Sequence, residues 1–168
     1  KYDLVDQTVD SFEDATGVDA SGSTGETRNA NNYYSGSLPG SPTYTVFNST
    51  PGGGTWTVPA GVTSVEALVV AGGGSGGYMY GGGGGGGGIV HHTSFPTTAA
   101  ASVTVTVGAG GAAVNSPAGN NGANSVFDTM TAIGGGSGAS NSYAPAVGGS
   151  GGGGNNDNYT GAAAGQPA

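Results

Sequence analysis

Three short stretches between or after glycine runs hold side chains that could make specific contacts: Tyr78-Met79-Tyr80, Asn141-Ser142-Tyr143 and Asn155-Asn156-Asp157-Asn158-Tyr159. Tyrosine offers a rigid apolar face and a hydroxyl at small entropy cost, and asparagine offers a donor and an acceptor. This is the chemistry that adaptable binding loops favour. It suits a sugar or a protein loop and needs no charge. The candidate surface-binding residues are therefore Tyr78, Met79, Tyr80, Asn141, Tyr143, Asn155, Asn156, Asp157, Asn158 and Tyr159. The same residues have a plainer use, since tyrosines can cover the end of a packed layer and asparagines favour turns.

Other constellations lead nowhere catalytic. His91 and His92 are adjacent, and neighbours on a strand point to opposite faces, so they cannot chelate one ion together. Gly73-Gly74-Ser75-Gly76-Gly77 and Gly148-Gly149-Ser150-Gly151-Gly152 fit the G-x-S-x-G pattern of hydrolase nucleophiles but lack its strand-to-helix setting. The G-x-G-x-x-G matches have no helix following them. Lys1 is the only lysine, which excludes a Walker A loop. The acidic first residues follow no EF-hand pattern. The reading is a chain with no catalytic residues, no metal site and no cofactor, and a secreted hydrolase is disfavoured for want of an acid/base pair. Asn48-Ser49-Thr50 and Asn158-Tyr159-Thr160 are sequons, relevant only where secreted proteins are glycosylated.

Charge narrows the partners. Only 7% of residues are charged, and Lys1 and Arg28 are the two basic ones. Without a basic patch there is no electrostatic footprint for nucleic acid or anionic lipid. No apolar run approaches the roughly 20 residues that span a membrane as a helix. Seven of the ten acids lie in the first 26 residues. There are no cysteines, hence no disulfide framework. The chain begins Lys1-Tyr2-Asp3 and shows no signal peptide, which reads as a processed or partial product.

These side chains must be positioned by short strands and by glycine. Residues 1–40 read as an acidic, mostly extended arm or connector, the alternative being a disordered tail. Tyr33-Tyr34 is its expected anchor on the main domain, which spans 41–168. Strands are expected at 43–47, 55–58, 62–70, 89–95, 102–107 and 125–133, with turns at Pro51–Gly54 and Pro59–Gly61. Val65, Ala67 and Val69 share one face of the third strand and Leu68 and Val70 the other, which predicts burial on both sides.

Between the strands lie glycine runs at 72–77, 81–88, 108–111, 134–138 and 148–154, the second being eight glycines in a row. Glycine loses more backbone entropy on folding than any other residue, so 39 of them among 168 residues are either unfolded linker or needed for the missing Cβ. Five floppy insertions in one domain carry entropy cost without return. The packed reading is a bundle of left-handed polyglycine II helices, whose outward N–H and C=O groups pair between neighbours. The predicted fold is all-β: a small β-sandwich or jelly-roll-like base, a polyglycine II bundle on top, and an extended N-terminal arm.

The strand motifs also resemble a family. Thr55-Trp56-Thr57-Val58-Pro59-Ala60-Gly61-Val62-Thr63-Ser64-Val65 with Val69-Val70-Ala71-Gly72-Gly73-Gly74 looks like the opening of the glycine-rich domain of bacteriophage tail fibre and adhesin proteins. Val103 to Gly111 resembles its second signature, and Asn121 to Phe127 with Thr131 to Gly136 its third. The likeness covers residues 43–168, and the acidic arm is similar to a segment of marine phage structural proteins. The resemblance implies a non-enzymatic virion protein on the virion surface, at the receptor-binding end of a tail fibre. It implies a homotrimer, a bacterial surface receptor (carbohydrate or outer-membrane protein) met by surface loops, and other fibre or virion proteins held through the arm. The alternative from a different class is an extracellular filament subunit whose arm inserts into its neighbour.

Overall fold

The computed structural model describes residues 27–28, 33–37, 43–48, 52–113, 119–156 and 159–165. Among them are strands and no helix. The chain divides into two compact units, Lys1–Ser49 and Thr50–Ala168.

In the first unit β1 (Thr27–Arg28), β2 (Tyr33–Ser37) and β3 (Thr43–Phe47) form an antiparallel sheet in chain order. Tyr33 and Tyr34 lie in β2, opposite Phe47 and Val46. The strand expected at 43–47 is present, and β1 and β2 were not foreseen. Residues 1–26 lie outside the described residues.

The second unit has two small sheets. One orders its strands β4 (Gly52–Thr57), β7 (Ser102–Val107), β8 (Ser125–Phe127), β9 (Met130–Ala132). The other is the hairpin of β5 (Ser64–Val70) and β6 (Ile89–Pro96). Two expectations fail here. Gly52 to Gly54 form the start of β4 rather than a turn, because they pair with Val107 to Val105 of the Val-rich β7. Residues 125–133 form two strands, not one: Asp128 takes φ 52° and reverses the chain so that Phe127 faces Met130.

Ala67, Val69 and Ala71 form one core with Phe95, Met130 and Ala132, drawing on both sheets. Phe95 stands edge-on to Phe127, with ring centroids 5.6 Å apart, and Trp56 tilts against Phe127 at 5.9 Å. Burying each larger apolar side chain contributes about 1.5–3 kcal/mol. The other face of β5 is a correction. Leu68 and Val70 are 65% and 50% exposed, because the two-stranded sheet is covered on one side only.

Above this base the glycine segments pair backbone to backbone, with a period of three. Six successive N–H groups of segment 133–140 show it most fully. Gly134 and Ser137 donate to the side-chain carbonyls of Asn124 and Asn121. Gly135 and Gly138 donate to Gly72 and Ser75, and Gly136 and Ala139 to Ser150 and Gly153. The donors thus cycle through three neighbours, whereas a β-strand alternates between two directions. The same spacing recurs where Ala71, Gly74 and Gly77 donate to Gly88, Gly85 and Gly82, and where Gly82, Gly85 and Gly88 donate to Ala139, Gly136 and Ile133.

The glycines are required by this proximity rather than by backbone torsion. Among the described glycines only Gly61 and Gly87 have positive φ. A Cβ on Gly85 would land on the carbonyl oxygen of Ser150, and one on Gly77 on that of Ala139. Residues 134–140 are all buried, making this segment the axis of the layer.

Candidate functional site

The register of these hydrogen bonds decides where the connections emerge. Segment 71–77 leaves β5 and rises away from the base; segment 81–88 returns antiparallel to it and enters β6. Segment 133–140 leaves β9 and runs parallel to 71–77, since Gly135 meets Gly72 and Gly138 meets Ser75. Segment 148–154 is parallel in turn to 133–140, through Gly136 to Ser150 and Ala139 to Gly153. Residues 78–80, 141–144 and 155–156 therefore leave the layer at one end, opposite the strands. Segments 108–113 and 119–123 flank 71–77 as well, Gly111 donating to Gly73 and Asn120 accepting from Ser75.

Within that end the side chains differ. Tyr80 is 82% exposed, Met79 58%, Tyr143 50% and Tyr78 40%. Met79 and Tyr80 both take left-handed backbone conformations, φ 42° and 55°, which a non-glycine residue adopts only where its surroundings enforce it. The tight closure from Gly77 to Gly81 enforces it here: a Cβ on Gly81 would meet the backbone of Gly77. Asn141 and Asn156 are exposed. Tyr159 is half-buried.

Asn155 is committed to structure. Its Nδ2 donates to the Ser140 carbonyl at 2.9 Å, and its Oδ1 accepts from the Tyr159 N–H at 3.0 Å. It ties the third connection to the second, where Ser140 and Tyr143 exchange backbone hydrogen bonds. Asp157 and Asn158, the remaining sequence candidates, lie outside the described residues.

Other groups singled out in the sequence have local partners. His91 Nε2 lies 2.8 Å from Glu66 Oε1 on an exposed face. His92 accepts from the Ser94 N–H through Nδ1 and meets Phe95 edge-on. Ser75 and Ser150, the serines of the two G-x-S-x-G matches, both bond to backbone. Ser75 Oγ accepts from Asn120 N at 2.8 Å, and Ser150 Oγ donates to Gly87 O at 3.1 Å. Sequence reasoning missed Asn121 and Asn124, whose amides stand in for a neighbouring backbone. Their separation by three was the available signal, matching the period of the segment they serve.

The geometry is that of a hydrogen-bonded, side-chain-poor layer ending in tyrosine-bearing connections. A family model described as a glycine-rich domain matches residues 48–168. The chain belongs to this glycine-rich domain family. No curated protein and no solved structure matches it.

Proposed function

We propose that this glycine-rich domain is the distal, receptor-binding part of a phage tail fibre, and that the connections at 78–80, 141–144 and 155–159 contact the host surface. One observation carries the reading: connections far apart in sequence, each bearing tyrosine, leave the layer at the same end. The likeness of the strand motifs to tail-fibre adhesins supplies the setting, a virion-surface homotrimer of structural, non-enzymatic role. In this reading the glycine segments are polyglycine II helices, supported by the three-residue cycle of donors, and the two sheets form a small sandwich beneath them. The layer works as a scaffold. Its backbone pairing fixes the connections from below, so little loop entropy is lost on contact.

The test is binding of the full chain to a panel of intact bacteria and isolated surface glycans, with a Tyr80→Ala, Tyr143→Ala, Tyr159→Ala triple variant alongside. The wild type binds at least one target and the variant loses at least about tenfold in affinity with its circular dichroism unchanged. Equal binding by a folded variant sinks the reading. Electron micrographs of the native assembly complete the test: trimers closed on a virion tail support it, and continuous polymers with one subunit repeat favour an extracellular filament.

A further inference from the structure

The hairpin that runs from β5 through segments 71–77 and 81–88 into β6 is covered on one side only. Its inner side meets Phe127, Met130 and Ala132 at the base, and segment 133–140 above. Among the described residues of the second unit, none packs on its outer side. At the base it presents Leu68, Val70 and Ile89, which are 65%, 50% and 61% exposed, with the exposed Glu66 and His91 beside them on the same strand face. Higher up it presents backbone without side chains. Nothing lies within 4 Å of where a Cβ on Gly83 would stand, the nearest atom for Gly86 is Ser150 Oγ at 3.8 Å, and for Gly76 it is Gly82 O at 3.5 Å.

These open glycines need explaining. At Gly82, Gly84 and Gly85 a Cβ would collide with a neighbouring backbone, so glycine is required. At Gly83 and Gly86 the chain itself imposes no such requirement, yet it accepts glycine's entropy cost there too. Their separation is the same three residues that governs pairing inside the layer. The N–H groups of Gly83, Gly84 and Gly86 are exposed and find no partner among the described residues.

We propose that a second copy of this chain docks on this outer face, glycine segment against glycine segment and strand face against strand face. The chemistry of the surface selects that occupant. Between Ile89 and Tyr80 its unpartnered donors among the described residues include the backbone N–H groups of Gly83, Gly84 and Gly86, two of them three residues apart, with no charge and no side chain to recognise. A matching surface must bring backbone groups at the same spacing and no Cβ to keep them apart, and this chain's own bare hairpin does. The face is about 25 Å of glycine segment and about 23 Å of strand, two chains wide. That is roughly 500 Å², short of the about 800 Å² per partner of a standard stable interface. The contact is therefore weak alone and effective where copies are already held side by side. It stands apart from the receptor-binding reading, because the tyrosine connections are at the end of the layer and not on this face.

Sedimentation of the full chain from about 1 μM to about 1 mM tests it. The wild type associates with rising concentration. The Gly83→Ala, Gly86→Ala double variant, whose methyls have room in the single chain, keeps the wild-type melting temperature or raises it and weakens association at least about tenfold. Leu68→Lys weakens association similarly from the other end of the face. A wild type that stays monomeric throughout overturns the proposal, and so does a double variant that associates as tightly as wild type. Tyr80→Ala, Tyr143→Ala and Tyr159→Ala leave association unchanged, so failure of the receptor reading is told apart from failure of this one.

Discussion

At the scale of single residues, neighbouring glycines in one run have opposite tolerances, which composition alone conceals. A Cβ on Gly85 would fall on the Ser150 carbonyl, whereas one on Gly83 meets nothing within 4 Å. Gly85→Ala forces two backbones apart and breaks the bond in which Gly85 donates to Gly136. It should destabilise the second unit by about 3 kcal/mol, the upper range for overpacking. Gly83→Ala should be neutral or stabilising by about 0.4–1 kcal/mol, because it restricts the unfolded chain without a clash. Chemical denaturation of the two variants compares them directly, and equal effects would mean that the run is loose linker. Ser75 gives a second prediction at this scale. Its hydroxyl is the acceptor for the Asn120 N–H in a buried position. Ser75→Ala leaves that N–H unpaired at a cost of about 1–3 kcal/mol, readable as a lower denaturation midpoint. The sequence showed that serines interrupt the glycine runs. It did not show that they replace backbone groups, because that depends on which segment stands opposite.

At the scale of elements, legibility tracks how local the decisive interaction is. Thr43–Phe47 and Ser102–Val107 read as strands because alternation of β-branched and polar residues is a local property. Gly52–Gly54 could not be read so. Glycine has low strand preference, and these three are recruited by a partner fifty residues later, Val105 to Val107. The β8–β9 reversal was hidden because Ser125 to Ile133 alternates without a Gly or Pro to mark the turn. Asp128 marks it instead, since a short polar side chain tolerates the left-handed region. Asp128→Val should therefore cost about 1–2 kcal/mol and Asp128→Gly almost nothing, which thermal melts of the two variants would resolve. The candidate site follows the same rule. That Tyr78–Tyr80 and Tyr143 lie in connections was legible from the glycine on either side. That they emerge together was not, because it rests on the parallel register of Gly135 with Gly72 and of Gly136 with Ser150.

At the scale of the molecule, the second unit is held by an unusual balance of forces. Its apolar core is small: the buried cluster is six residues, three of them alanine. Its buried backbone is extensive, with residues 134–140 all buried and the donors of Gly134 to Ala139 satisfied one after another. Charge contributes little. Among the described residues the one contact between potentially charged side chains is His91 with Glu66, and it is exposed. An exposed pair contributes about 0–1 kcal/mol. The melting temperature of this unit should therefore hardly move with ionic strength, and Glu66→Gln should change stability by less than about 1 kcal/mol. Heat capacity gives the sharper prediction. Exposing apolar surface on unfolding raises it, by about 0.45 cal/mol/K per Å², and exposing polar surface lowers it, by about 0.26. Ordinary domains expose enough apolar surface to reach about 12–15 cal/mol/K per residue. Here unfolding exposes mainly peptide groups from the glycine layer and little hydrocarbon, so the two contributions come close to cancelling there. Calorimetry should find a heat-capacity change well below that range, at about half of it or less, with the apolar base supplying most of what is seen. An ordinary value would mean that the layer is not buried in solution, and that the connections at its end have no rigid support.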